Sequence, residues 1–241
     1  NSITFSGNLH YSERIPETSE LYSSGAHHAT ESFEMGNPDL KNEESVGVEF
    51  AVINNQGSFN QKLSLYYNNY ENFIFQSDTG FKTGSDKAEF EELSIREYKG
   101  VEAKIYGLEY EFDYQLSSNA SIRGFADSIT GKNKTDAIAL PRIPPYRLGI
   151  GYYLNSEQYQ FSLSAVHHGK QDKLADGEEE TDAYTLLNAR LGFSPNSNSN
   201  SELYLKINNL TDRLAYVHTS FLKESAPLPG RNVEIGYNIT F

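Results

Sequence analysis

Apolar and polar residues alternate through most of this chain, and the alternation runs to the last residue. Val233, Ile235, Tyr237, Ile239 and Phe241 are apolar, with Glu234, Gly236, Asn238 and Thr240 between them. A period of two puts the apolar set on one face of a β-strand. Soluble domains usually fray or turn polar at their ends. A strand closing a membrane β-barrel has reason to hold its final aromatic in register, because an unpaired edge is prohibitive in lipid.

Read the same way, the chain predicts ten strands, at roughly 2–12, 44–53, 59–76, 101–116, 120–129, 146–154, 158–168, 184–194, 202–210 and 231–241. The clearest stretches are Val46/Val48/Phe50/Val52, Leu148/Ile150/Tyr152/Leu154, Tyr159/Phe161/Leu163/Ala165, Leu187/Ala189/Leu191/Phe193 and Leu203/Leu205/Ile207. The fourth strand changes phase between Ile105 and Tyr106, then keeps Leu108, Tyr110, Phe112, Tyr114 and Leu116 on one face. A bulge near Gly107 would explain the change. Long helical patterns are missing.

The connections fall into two classes. Asn54–Ser58, Ser117–Asn119, Asn155–Glu157 and Pro195–Ser201 are short and rich in turn residues. Those at 13–43, 77–100, 130–145, 169–183 and 211–230 are long. Short and long alternate strictly, as in an antiparallel up-and-down transmembrane β-barrel with short periplasmic turns and long extracellular loops. A soluble all-β sandwich has no reason to keep every long loop at one end. The last strand then descends, placing both Asn1 and the C-terminus on the periplasmic side.

Composition agrees with that architecture. Mean hydropathy is −0.59, and no apolar run approaches the ~20 residues a transmembrane helix needs. A barrel averages lipid-facing and lumen-facing positions and so looks polar. The net charge of −13 argues against nucleic acid as a partner. Cysteine is absent, which removes disulfide and thiol chemistry. The chain opens at Asn1 already in strand pattern, with Ile3, Phe5, Leu9 and Tyr11 in phase and no signal peptide, and reads as a mature or truncated product.

Several blocks resemble a known family. Arg14-Ile15-Pro16 followed by Glu20-Leu21-Tyr22, Gly25-Ala26-His27-His28-Ala29-Thr30 and Gly36-Asn37-Pro38-Asp39-Leu40-Lys41-Asn42-Glu43 resembles the front block of TonB-dependent outer-membrane receptor barrels. Gly100-Val101-Glu102-Ala103 with Tyr106-Gly107-Leu108-Glu109, and Leu140-Pro141-Arg142-Ile143-Pro144-Pro145-Tyr146-Arg147-Leu148-Gly149, resemble its middle blocks. Asn208-Asn209-Leu210-Thr211-Asp212 and Pro229-Gly230-Arg231 resemble its closing block. The blocks span the chain in family order.

The resemblance implies a 22-stranded barrel with an N-terminal plug. Residues 1–241 would be its C-terminal part, ten strands without the plug, the TonB-contacting segment or the first twelve strands. Partners implied are the rest of the receptor chain, the TonB complex through the plug, outer-membrane lipid and lipopolysaccharide, and the barrel-assembly machinery. The final strand (Val233, Ile235, Tyr237, Ile239, Phe241) resembles the segment that machinery reads and that pairs with the first strand at closure. Within the family, Glu20-Leu21-Tyr22, Phe33-Glu34 and Ser220-Phe221-Leu222-Lys223-Glu224 are similar to the branch containing zinc-uptake receptors.

Zinc directs attention to histidine. His27, His28 and His218 fall in long loops, and the His167/His168 pair sits where a strand enters one. His10, opposite in parity to Leu9 and Tyr11, points into the lumen near the same end. His27, His28, His168 and His218 with Glu34 are the candidate ligands for zinc as transported cargo; Glu31 could also contribute, and no resident cofactor is expected. The competing reading is a set of surface imidazoles with no ligand, since neighbouring residues of an extended chain point to opposite faces. The acidic run Asp172, Asp176, Glu178, Glu179, Glu180, Asp182 reads as a solvated loop tip that concentrates cations. Tyr66, Tyr67, Tyr70, Phe73 and Phe75 read as girdle and lipid-facing aromatics.

The functional expectation is an outer-membrane receptor and transporter for a scarce nutrient, zinc preferred, with an iron–siderophore complex as the alternative. Outer-membrane proteases also use ten-stranded barrels, and His168, Asp172 and Asp176 could be drafted into such chemistry. No base, orienting partner and electrophile stabiliser occur at a convincing spacing, so an enzyme is not expected.

Overall fold

Ten antiparallel strands, each bonded to the next, carry the architecture of the computed structural model, which describes residues 2–84, 92–195 and 201–239. In chain order they are β1 (Ser2–Arg14), β4 (Glu43–Gln56), β5 (Phe59–Lys82), β6 (Ser94–Gln115), β7 (Ala120–Asn133), β9 (Arg147–Asn155), β10 (Tyr159–His168), β11 (Tyr184–Phe193), β12 (Ser201–Asn208) and β13 (Asn232–Ile239). Three short strands, β2 (Ser24–His27), β3 (Ser32–Met35) and β8 (Ile138–Ala139), and one five-residue helix, α1 (Thr18–Tyr22), belong to the long connections. Among the described residues β1 pairs only with β4 and β13 only with β12. Phe241, expected to end the last strand, lies outside the described residues.

The register explains the alternation. Leu9 stands opposite Val48, Val48 opposite Tyr67, and Tyr67 opposite Tyr106. At the other end Leu191 faces Leu205 and Leu205 faces Ile235. These apolar residues line one face of the sheet, and Leu9 (76% exposed) and Ile235 (74%) are among its most open positions. Side chains of this kind need an apolar medium. The opposite face is polar, and cross-strand ion pairs run along it: Arg123–Asp113 at 2.7 Å, Arg147–Asp127 at 2.8 Å and Arg190–Glu202 at 2.6 Å.

Two expectations change. No bulge occurs at Gly107, where the register with both neighbours is continuous. Gly107 instead lies beneath Tyr66, and a Cβ there would sit 2.5 Å from the tyrosine oxygen and 2.4 Å from the Ser128 carbonyl oxygen. The change of phase is a change of surroundings. Val101 and Ala103 are buried on the polar-face side beneath the 134–146 connection, with Leu140 and Ile143 on top. Below them the apolar residues move to the opposite face.

The bulge is on the neighbouring strand, between Tyr70 and Phe73. There Asn72 adopts a left-handed φ of 55°. One extra residue reverses parity, so Tyr70, Phe73 and Phe75 all pack against the Val101–Ala103–Leu140 cluster. Those three aromatics are therefore not girdle residues, whereas Tyr67 does sit on the apolar face, stacked on Tyr106. β5 and β6 also run well past the expected ends at 76 and 101. Beyond the last β6–β7 pair, at Ala103 and Asn133, β3 pairs in parallel with β6, Ser32 through Met35 against Ser94 through Glu97, and covers that edge.

Candidate functional site: the loop roof

The long connections fold over one end of the sheet as a packed roof, and the blocks quoted above tie it down. Arg14 binds Glu20 at 2.8 Å and Glu43 at 3.3 Å. Glu20 accepts the Glu17 N–H that opens α1, and Glu43 accepts the Ile74 N–H just beyond the bulge. Asn37 donates to the Tyr98 carbonyl. At the far side Asn209, buried with φ of 50°, accepts the Arg213 N–H and donates to the Arg213 and Pro229 carbonyls. Asp212 accepts the Arg231 N–H at 2.7 Å. These family-like residues knot the bases of loops.

Three connections meet at one carboxylate. Glu178 accepts the Arg142 N–H at 2.8 Å, the Ala175 N–H at 3.2 Å and the Lys223 ammonium at 3.4 Å. His218 lies beyond, its Nε2 3.9 Å from Glu178 and its Nδ1 3.1 Å from the Thr181 hydroxyl. The His218 side chain is wholly buried and its Nε2 has no hydrogen-bond partner among the described residues. Burial, and then the Lys223 charge, hold its pKa below the ordinary histidine value, against a smaller upward pull from Glu178. The acidic run is thus only partly a solvated tip. Asp172, Asp176, Glu179, Glu180 and Asp182 are exposed, but Glu178 is turned inward.

Next to this node Phe221 is clasped by two guanidinium groups, Arg142 at 4.2 Å and Arg96 at 4.7 Å from the ring centre. They border a cavity of about 190 Å³ that also takes in Asp78, Glu178 and Lys223. Arg96 Nη1 is buried without a partner among the described residues. Sequence reading missed Arg96, Arg142, Phe221 and Lys223 as a group. The last three lie in family-like blocks, but only the loop packing brings them together.

The candidate metal ligands do not converge. His27 Nδ1 meets the Thr30 hydroxyl at 2.7 Å and Glu34 at 3.1 Å, and Nε2 has no partner among the described residues. His28 begins the adjoining 3-10 turn and is exposed. His168 stacks on Tyr184, with ring centres 4.5 Å apart, and His218 belongs to the Glu178 node. His167 faces the other way, bonded to Thr185, and His10 lies on the polar face over Gly47. Among the described residues no three His, Asp or Glu side chains gather as a metal shell requires.

Comparison with known proteins places this architecture. Residues 1–210 match the family described as TonB dependent receptor-like, beta-barrel, and the chain belongs to that family. Its members are outer-membrane transporters and not enzymes. Among solved structures, a copper transporter, OprC, aligns with a TM-score of 0.83 at 20% identity, over 99% of this chain and 37% of its own. A ferric enterobactin receptor (PfeA) from Pseudomonas aeruginosa aligns at 0.72 with 17% identity, over 99% and 38%. The siderophore receptor PirA from Acinetobacter baumannii aligns at 0.72 with 15% identity, over 99% and 39%. The likeness is one of fold, and the chain spans under two fifths of the length of these proteins.

Proposed function

We propose that this chain is the C-terminal barrel wall and part of the extracellular roof of a receptor that captures a scarce metal at the cell surface. In the complete protein a plug, engaged by TonB, would admit the cargo. The long loops face outward and the C-terminus faces the periplasm in this reading. Zinc is the preferred cargo, with an iron–siderophore complex as the alternative.

The His27–Glu34 pair carries the metal reading. A carboxylate and a hydroxyl on Nδ1 fix the tautomer and aim Nε2 outward, as outer-shell groups do for metal-binding imidazoles. Glu34 then orients His27, and His28 is the nearest candidate for a second ligand. The remaining ligands would come from residues that converge only when cargo binds, or from other parts of the receptor.

Zinc titration of the full-length receptor in detergent tests this. A His27→Ala/His28→Ala variant is expected to lose zinc affinity at least tenfold, as metal-site changes typically cost. His168→Ala is expected to leave it unchanged. Equal affinity in the double variant would sink the metal reading, and tighter retention of a ferric siderophore than of zinc would favour the alternative.

A further inference from the structure

Lys104 on β6 and Lys132 on β7 are direct cross-strand partners on the apolar face of the sheet. Like charges placed opposite each other destabilise a sheet unless something neutralises them. Neither ammonium has an ion-pair or hydrogen-bond partner among the described residues. Glu102, the adjacent position on the same face of β6, is engaged by Lys134 at 3.0 Å. In a chain of net charge −13, two adjacent unneutralised cations are out of keeping with their surroundings.

Their height is informative. Below Lys104 the same face of β6 carries Tyr106, Leu108, Tyr110, Phe112 and Tyr114. The nine residues from Tyr106 to Tyr114 match the roughly 9–11 that a tilted strand needs to cross the apolar core of an outer-membrane barrel. Tyr106 and its stacked partner Tyr67 close the top of that belt, where interfacial aromatics belong. The lysines are the next position up, at headgroup level on the loop side. A groove of about 370 Å³ beside Lys132 carries Ile138 and Leu174 on its walls and a second cation, Lys173.

We propose that Lys104 and Lys132 hold the phosphate monoester of an outer-leaflet glycolipid of the lipid A type, with Lys173 at the rim. A monoester carries close to two negative charges near neutral pH, which matches two ammonium groups; a phosphodiester headgroup carries one. The placement rests on the loops facing outward. Binding in detergent does not depend on that orientation, so the two can fail separately.

The test is native mass spectrometry of the full-length receptor in detergent with added bisphosphorylated lipid A or phosphatidylglycerol. Wild type is expected to retain lipid A over phosphatidylglycerol. K104Q/K132Q should lose retention on the order of 30-fold, at roughly tenfold per 1.4 kcal/mol and about 1 kcal/mol per lysine. K104R/K132R should restore it, and K62Q/K206Q, on the polar face, should not differ from wild type. Equal retention of both lipids, or no loss in K104Q/K132Q, would overturn the proposal. So would a loss in a normally folded K104R/K132R. Orientation is read separately by labelling Asp176→Cys on intact cells, against the same full-length receptor without that substitution; residues 1–241 themselves contain no cysteine.

Discussion

His218 Nε2 points at Glu178 from 3.9 Å, fully buried and without a hydrogen bond, while Lys223 holds the same carboxylate. A native pKa below the unfolded value of about 6.5 means that the folded protein binds fewer protons. The stability contributed by neutral His218 is therefore complete above that pH and is lost as pH falls through the lower native value. Protection factors in 169–183 and 209–231, which already allow for the intrinsic slowing of amide exchange in acid, are expected to fall as pH drops below about 6.5. His218→Gln should flatten that dependence; an unchanged profile in the variant would place the titration elsewhere.

Glu178→Gln keeps the shape of the node but removes its charge. Lys223, 8% exposed, would be left without its anion, at a cost of about 3 kcal/mol. Limited proteolysis should then cut 169–183 and 209–231 faster than in wild type while the strands stay protected. Equal cutting rates would show that the node does not hold the roof.

Asn209 makes three side-chain hydrogen bonds from a left-handed backbone. Asn209→Ala should lose about 2–3 kcal/mol, from unsatisfied buried partners and from a conformation alanine avoids. Asn209→Gly relieves the backbone conflict alone and should fall between the two in thermal unfolding. Equal losses for both would assign the whole effect to the hydrogen bonds.

Two glycines of the polar face separate side-chain from backbone crowding. A Cβ at Gly149 meets the Phe125 ring at 2.1 Å, and that ring can rotate away. At Gly107 it meets the Ser128 carbonyl at 2.4 Å, which is fixed by the sheet. Gly107→Ala is expected to lower refolding yield much more than Gly149→Ala, with a cost of about 3 kcal/mol or more. The reverse order would mean that β6 and β7 separate more easily than the Phe125 ring turns.

The strands and their partners were legible in the residues because side-chain period in a strand is local and exact. Val233, Ile235 and Tyr237 already specified which face of β13 is apolar, and the alternation of short and long connections specified an up-and-down order. The family blocks were legible too, though not their role: Arg14, Glu20, Asn209 and Asp212 turned out to knot loop bases. What periodicity could not supply was parity across the Asn72 bulge, since one inserted residue reverses every side chain after it. Nor could it supply the meeting of Arg142, Glu178, His218 and Lys223, which come from three connections with no shared period. The same is true of the histidines. Their gathering at one end follows from strand direction, but whether imidazoles reach one ion depends on loop packing, and among the described residues no three possible ligands gather. Local alternation determined the barrel wall, because each position answers only to lipid or lumen. Tertiary contacts between distant loops decided the roof, because burying charges there requires partners far apart in sequence.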